Sequence, residues 1–547
     1  MNSDTKNKFL IIGLDGATFN LVKPWVREGK LPNLGKLMDE GVHGPLESTT
    51  PPISSAAWVS FMTGMNPGSH GVFKFSEFNS NNYYKETEYI PITSEKFSGK
   101  TIFDIVSAYD YKAISIAVPL TYPAWEINGI MISGWPIPDN AGPERIFPRS
   151  LYTWRNQFPP YCDINFKERD KVIDKLLHNI NRRFLQVKNL LEKEWDLFTV
   201  VLGETDQAQH YFWRYLDRKL PINTDSEYRD FKDVIFRVYS LIDKKLGEIL
   251  PTLTENTQVI IMSDHGGCLG PTRILRLNHW LRSRGFLKST FSSNLFLEPL
   301  KYMICRKYDK SKNNGTRIHN YWDTSQSKLN DMVLWNKTKA YAVPLWHPVG
   351  GIAINLKGRQ PSGCVEPGNE YDAVCERIIN ELNNLRDRCT NGKIIVRACK
   401  REDLYTSKHI QVMPDIIFEL ADDYQLDIGL NYGPLVYNAP ERLLNTQNGQ
   451  HNMHGVLIAK GSLIKKGALA EGARIEDLAP TVLYGLGVPI PGETDGKILK
   501  DIFNPEFVEK TPVKYSEQIL ESQREKKHLT SREIDTIKKQ LENLGYI

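Results

Sequence analysis

Short apolar runs that stop abruptly at a glycine and an acid govern how this chain can fold. Phe9-Leu10-Ile11-Ile12-Gly13-Leu14 gives way to Asp15-Gly16, and Val259-Ile260-Ile261-Met262 gives way to Ser263-Asp264-His265-Gly266-Gly267. Phe198-Thr199-Val200-Val201-Leu202 leads into Gly203 and then Asp206-x-x-x-His210. A strand with so little polar alternation is buried on both faces, the condition of a parallel sheet held between helices. Apolar residues at helical spacing over 171–191 and 231–250 supply such helices. The expected fold class is α/β, a doubly wound, mostly parallel sheet with helices on both faces. Ligands bind such sheets at the carboxyl ends of the strands, where these acids and histidines stand.

The charge balance narrows the partners. With 69 basic and 65 acidic residues the net charge is only +4 over 547 residues, which does not mark a dedicated nucleic-acid binder. The seven cysteines are scattered without CxxC spacing, which speaks against a disulfide framework or zinc knuckle and for free thiols in a reducing compartment. Residues 1–8 lack the apolar stretch and cleavage site of a signal peptide. No apolar run approaches the roughly 18 residues of a membrane span. The expectation is a soluble, cytoplasmic protein with a small-molecule substrate. Its oligomeric state is left open.

Along the chain, 31–38 reads as a short amphipathic helix, and a helical piece near 56–62 lies in a Pro/Ser/Thr/Gly-rich segment at 46–75. Periodicity fades over 285–340, where Ser and Asn mix with basic residues at 306–314; this segment reads as an insertion or cap. The strand pattern resumes at Gly350-Gly351-Ile352-Ala353-Ile354-Asn355-Leu356, followed by a helix near 370–386, Ile394-Ile395-Val396, and a helix over 479–487. The expected division is a catalytic core formed by 1–284 and 341–511, the insertion at 285–340, and a charged, helical tail at 512–547 used for packing or oligomer contact.

Each chemical motif also has an ordinary structural reading. Asp264-His265 alone could be a surface turn. Asp206 and His210, at i and i+4, share a helix face as many surface pairs do. Ser54, in Pro51-Pro52-Ile53-Ser54-Ser55-Ala56-Ala57-Trp58, could be a helix N-cap. His70, after Pro67-Gly68-Ser69, is assigned to structure. The conjunction changes the weighing. Asp15, Asp206 and Asp264 with His210, His265 and either His451 or His454 supply three carboxylates and three imidazoles, enough for two cations. Such a set without thiolates suits zinc, or manganese at a higher coordination number. A serine at a helix start beside two cations is one that can be deprotonated near neutral pH.

With these residues in view, the sequence resembles the alkaline phosphatase superfamily, in particular its type I phosphodiesterase/nucleotide pyrophosphatase branch. The resemblance is carried by Gly13-Leu14-Asp15-Gly16-Ala17, Pro51-Pro52-Ile53-Ser54, Thr63-Gly64-x-x-Pro67-x-x-His70-Gly71, Asp206-x-x-x-His210, Ser263-Asp264-His265-Gly266 and Gly449-Gln450-His451. Asp477-Leu478-Ala479-Pro480-Thr481-Val482-Leu483 and Pro491-Gly492-Glu493-Thr494-Asp495-Gly496-Lys497 continue it in family order, so that it extends over about residues 9–503.

By this resemblance Asp15, Asp264 and His265 hold one divalent metal ion together with the nucleophile oxygen. Asp206, His210 and His451 hold the other, with His454 as the alternative late ligand. The branch usually has a threonine nucleophile; nine residues before Thr63 this chain has Ser54, with Ser55 a poorer choice. Nucleotide pyrophosphatases carry an asparagine shortly after the His-Gly, where Phe75 stands here, so a nucleotide substrate does not follow. Lys74 is a candidate compensating donor, and Phe75 and Trp58 read as an apolar wall for a substituent on phosphorus. The implied activity is a metal-dependent phosphodiesterase acting through a phosphoserine. The alternatives are a phosphomonoesterase or a phospho-group transferase such as a mutase at the same centre, or a non-catalytic binding protein on a decayed fold.

Overall fold

The computed structural model describes residues 6–84, 89–157, 169–216, 225–290, 329–430, 433–440, 448–517, 529–544 and 546. The described chain separates into two compact units, one formed by 1–77, 90–269 and 448–546, the other by 78–89 and 270–447.

The first unit is built on strands β1 (Lys8–Leu14), β2 (Val42–Glu47), β3 (Ala113–Ile116), β4 (Gly129–Ile132), β5 (Ile146–Phe147), β6 (Leu197–Leu202) and β7 (Thr257–Met262). They lie in one sheet in the order Ala468–Leu469, β2, His454–Lys460, β7, β1, β6, β3, β4, β5. The stretch from β7 to β4 is entirely parallel. Every residue of β6 and β7 is buried, as runs without polar alternation require. Leu10, Ile12 and Leu14 enter one core with Leu176 and Ile180 of the helix Arg169–Leu191 and Val238 and Ile242 of the helix Val234–Ile249. On the opposite face Phe9 packs against Gly485 of the helix Leu478–Leu486, and Gly13 against Trp58 of the helix Ser54–Thr63. A Cβ on Gly13 would come within 2.4 Å of the Trp58 ring, so this strand position has room only for glycine.

Register fixes the edge where the chemistry collects. Leu14 pairs with Leu202 and Gly13 with Met262, so β1 and β6 end level and β7 ends one residue short of them. Continued by one or two residues, this register brings Asp15, Gly203 and Asp264 out side by side.

The second unit has its own core and a different plan. Its four-stranded sheet is antiparallel, in the order Ala340–Pro344, Val349–Ile354, Ile416–Leu420, Ile395–Lys400, with Val374, Ile378 and Leu382 of the helix Asn369–Asn383 in the same core. Here the boundaries differ from the sequence reading. The strand expected to resume the main sheet at 350 pairs inside this second sheet, because a short apolar run reports burial and not which sheet it joins. The unit reaches from 270 to 447 and includes 78–89, so it is broader than the insertion expected at 285–340. Residues 291–328, within that insertion, lie outside the described residues. Among the described residues, no helix is long and apolar enough to cross a membrane.

Candidate active site

Five segments of the first unit deliver the site. Asp15 follows β1; the helix Glu204–Phe212, which follows β6, carries Asp206 and His210; Asp264 and His265 follow β7. His451 lies on Gly449–Asn452, paired antiparallel with Gly266–Leu269 so that it stands opposite Gly267. Ser54 is the first residue of the helix Ser54–Thr63. All seven side chains are buried.

The turn after β1 is shaped for this crowding. Gly16 has φ +67°, and a Cβ there would lie 2.8 Å from Asp206 Oδ1. Its N–H donates to Asp264 Oδ1 at 3.1 Å, while Gln209 Nε2 donates to its carbonyl at 2.8 Å and Thr205 Oγ1 to that of Asp15 at 2.6 Å.

The three imidazoles are oriented alike. Nδ1 of His210 faces Gly449 O at 2.8 Å, that of His451 faces Pro52 O at 2.7 Å, and that of His265 faces Gly266 O at 3.0 Å. A carbonyl only accepts, so each ring donates from Nδ1 and turns its Nε2 inward. The Nε2 atoms of His210 and His451 stand 3.1 Å apart, and the rings of His265 and His451 stack at 3.5 Å. Two facing lone pairs at that distance repel unless a proton or a cation lies with them.

The carboxylates are also left short of partners. Trp58 Nε1 donates to Asp15 Oδ2 at 3.1 Å, but Asp15 Oδ1 and Asp264 Oδ2 have no hydrogen-bond partner among the described residues. His265 Nε2 lies 3.7 Å from the first of these oxygens and 3.3 Å from the second. Burial, and then repulsion from Asp264 and Asp206, drives the Asp15 pKa well above the ordinary value; burial also raises Asp264. Burial opposes the charge on Asp206, but His210 beside it at 3.3 Å outweighs that, so its pKa falls. Burial likewise opposes a charged His210, and Asp206 reverses the direction to a raised pKa. Asp15, Asp264 and His265 can converge on one ion, and Asp206, His265 and His451 on another, with His210 in contact with both Asp206 and His451. Carboxylate oxygens without hydrogen-bond partners among the described residues and inward-facing imidazole nitrogens form a mixed N/O donor set that fits divalent cations.

Ser54 Oγ lies 3.2 Å from His265 Nε2 and 3.2 Å from the hydroxyl of Tyr546, with the serine 1% exposed. The helix N-cap is Ile53, so the Ser54 hydroxyl is not spent on capping. Ser55 Oγ is buried without a partner among the described residues. His70 serves structure: its Nε2 meets Ser60 Oγ at 2.9 Å, and its Nδ1 accepts from Val72 N at 3.1 Å. His454 is exposed on its strand opposite Glu47, away from this cluster. Lys74 is half-buried, and burial pulls its ammonium down to about 8. Phe75 is buried against Trp135 and Tyr546, with ring centroids at 4.7 and 4.8 Å. Trp58, read from sequence as part of a substrate wall, is wholly buried beneath the site and holds Asp15 instead. Its place four residues after Ser54, on the same helical face, was the available signal. Tyr546 carries no comparable signal.

A sequence profile described as Type I phosphodiesterase / nucleotide pyrophosphatase matches residues 9–457. Among solved structures, the chain is similar to murine ectonucleotide pyrophosphatase/phosphodiesterase 5, at 13% identity over 91% of this chain and 100% of that one, with a TM-score of 0.46; one such structure is an inactive variant in complex with AMP. The human counterpart is similar at 14% identity over 91% of this chain and 100% of its own, with a TM-score of 0.46. None of the curated proteins compared matches the chain.

Proposed function

Because the chain belongs to the type I phosphodiesterase/nucleotide pyrophosphatase family, whose members hydrolyse phosphoester bonds, we propose that it is a phosphodiesterase with Ser54 as nucleophile and a phosphoserine intermediate. One observation carries the reading. Three imidazoles locked through Nδ1 and three carboxylates, two of them with an oxygen that has no hydrogen-bond partner among the described residues, converge beside one buried serine hydroxyl that caps nothing.

Asp15, Asp264 and His265 would hold one divalent cation and Asp206, His210 and His451 the other, zinc by donor type with manganese the alternative. Bound there, the pair would supply Lewis acidity that favours the serine alkoxide and offsets charge at phosphorus and at the leaving oxygen. The protein's own part is positioning. Trp58 and Gly16 fix Asp15 and Asp264, the backbone carbonyls fix the imidazole tautomers, and the helix start places Ser54 Oγ for in-line attack. The Oγ–P bond forms as the bond from phosphorus to the leaving oxygen breaks, and water then cleaves the phosphoserine from the opposite side. Phosphoryl transfer asks mainly for such placement and charge neutralisation, so no separate histidine base is needed.

The test is one preparation measured twice. Elemental analysis should find close to two transition-metal ions per chain. Acid quench during turnover of a phosphorus-labelled diaryl phosphate should find label on the peptide containing Ser54. Active protein without bound metal, or turnover without labelled serine, would overturn the proposal.

A further inference from the structure

Tyr546 reaches the nucleophile from a separate segment. Thr530 and Glu533 cap the helix Ser531–Leu544 reciprocally, with Thr530 N donating to Glu533 Oε2 at 2.8 Å and Glu533 N to Thr530 Oγ1 at 3.3 Å. Ile537 and Leu541, four apart on one face, are buried. Between them Gln540 Nε2 donates to Ile137 O and to Asp139 Oδ1, each at 2.8 Å, which ties the helix to the segment following β4. Past the helix, Tyr546 N donates to Leu541 O at 2.8 Å, which turns the tyrosine back toward the sheet edge.

The ring enters an aromatic slot. Its centroid lies 4.8 Å from Phe75, 5.2 Å from Trp135 and 6.1 Å from His451. Phenylalanine would pack there equally well, so packing accounts for the ring and not for the hydroxyl. Burying a hydroxyl is unfavourable unless it is paired, and this one is paired with Ser54 Oγ at 3.2 Å. A phenol also suits the place electrostatically. Three carboxylates already crowd the centre, and a phenol donates a hydrogen bond without adding charge of either sign.

We propose that Tyr546 is a catalytic residue whose hydroxyl donates a hydrogen bond to a non-bridging oxygen of the phosphoryl group attacked by, and then carried on, Ser54. The assignment rests on the phosphodiesterase reading. The phenol keeps its proton throughout. When the Oγ–P bond has formed, the non-bridging oxygens lie one bond beyond phosphorus, within reach of a donor already 3.2 Å from Oγ. Phe75 has no donor to offer the same oxygen; its ring buttresses Tyr546.

Tyr546→Phe keeps the ring and removes only the donor. In the metal-loaded full-length protein it should lower the pre-steady-state rate of phosphoserine formation from a diaryl phosphate by at least about tenfold. Thermal midpoint and metal content should stay at wild-type values. The affinity for orthovanadate, which mimics five-coordinate phosphorus without turnover, should fall by a similar factor. Gln540→Ala, which loosens the helix at a distance from the reacting atoms, should weaken vanadate in the same direction and by less. Unchanged vanadate affinity in Tyr546→Phe overturns the proposal whether or not a diester substrate is found. Faster phosphoserine formation also overturns it, by making Tyr546 an obstruction. A wild type that binds vanadate more tightly than Tyr546→Phe but turns over no diester would instead count against the phosphodiesterase reading and leave the donor role supported.

Discussion

Asp15 and Asp415 are both buried aspartates, and the chain treats them in opposite ways. Asp415, in the second unit, is met on all sides. Arg359 donates to its two oxygens at 2.6 Å each, Ile354 N at 2.6 Å and Tyr371 at 3.0 Å, and Arg401 stands 3.7 Å away. Asp15, in the first unit, has one indole N–H on one oxygen and, among the described residues, no hydrogen bond to the other, while Asp264 and Asp206 press on it. A buried charge is tolerable when it is paired and hydrogen-bonded and costly when it is not. The second unit closes the Asp415 charge internally. The first leaves an ordered deficit at one edge, as a centre that takes its positive charge from outside would do.

The sharpest way to break the comparison is to remove the atom around which the deficit is arranged. Ser54→Ala should lose at least about a thousandfold in turnover, close to 4 kcal/mol in transition-state binding. Metal content and thermal midpoint should stay near wild type, because Ser54 caps no helix. Ser55→Ala, which removes a buried hydroxyl without a partner among the described residues, should stay near wild-type turnover. The reverse pattern would move the nucleophile to Ser55.

Stability should divide the two regions by sign. Asp415→Asn leaves the Arg359 guanidinium without its charge partner and should destabilise by about 3–5 kcal/mol, while the protein that remains folded keeps its specific activity. Asp15→Asn removes a charge that burial and two neighbouring acids already disfavour, so in chelator-treated protein it should raise the thermal midpoint, while after metal loading it should retain about one ion fewer than wild type. The pH dependence follows from the same directions. The folded pKa values of Asp15 and Asp264 are raised, so their contribution is fully present below the unfolded value and is lost as pH rises through the folded one. His210, raised above 6.5, acts in the same sense, whereas the lowered pKa of Asp206 contributes above its unfolded value and is lost only in acid. The chelated protein should therefore lose thermal stability as pH rises above the ordinary carboxylate range and on past the ordinary imidazole value, and added zinc should remove that loss. A midpoint that climbs over this range without metal would mean that these acids are satisfied in some other way.

The first unit was far more legible in the sequence than the second, for a physical reason. Strands β1, β6 and β7 are buried on both faces and end within one residue of one another, next to residues whose chemistry is conspicuous, so their run lengths and the acids beyond them carry the fold and the candidate site together. Val349–Ile354 is equally apolar, but its pairing with Ile416–Leu420 is a long-range choice that no local pattern encodes. Residues 78–89 join the second unit from within the first, which composition does not mark. At the site, acids and imidazoles could be recognised by type. The second role of Trp58 and the arrival of Tyr546 beside Ser54 depend on packing between segments far apart in sequence.

The smallest effect turns the comparison toward substrate choice. The Asp415 cluster brings two guanidiniums to one carboxylate, whereas the helix Ser54–Thr63 brings none to the place of the phosphoryl group. A phosphate monoester dianion spreads more negative charge over its non-bridging oxygens than a diester does, and a bidentate guanidinium is the side chain that best meets it. Around Ser54 the groups in place are imidazoles, carboxylates, an indole and a phenol, with Phe75 and Trp135 forming an apolar flank beside Tyr546. Such surroundings favour a substrate in which one phosphate oxygen has exchanged its charge for an organic substituent. A bis-aryl phosphate should exceed its mono-aryl counterpart in kcat/KM by at least about tenfold, or 1.4 kcal/mol, under equal metal loading. A monoester preference would mean that Lys74 or a more distant cation already supplies the positive charge a dianion calls for, and the enzyme would then be a phosphomonoesterase at the same serine.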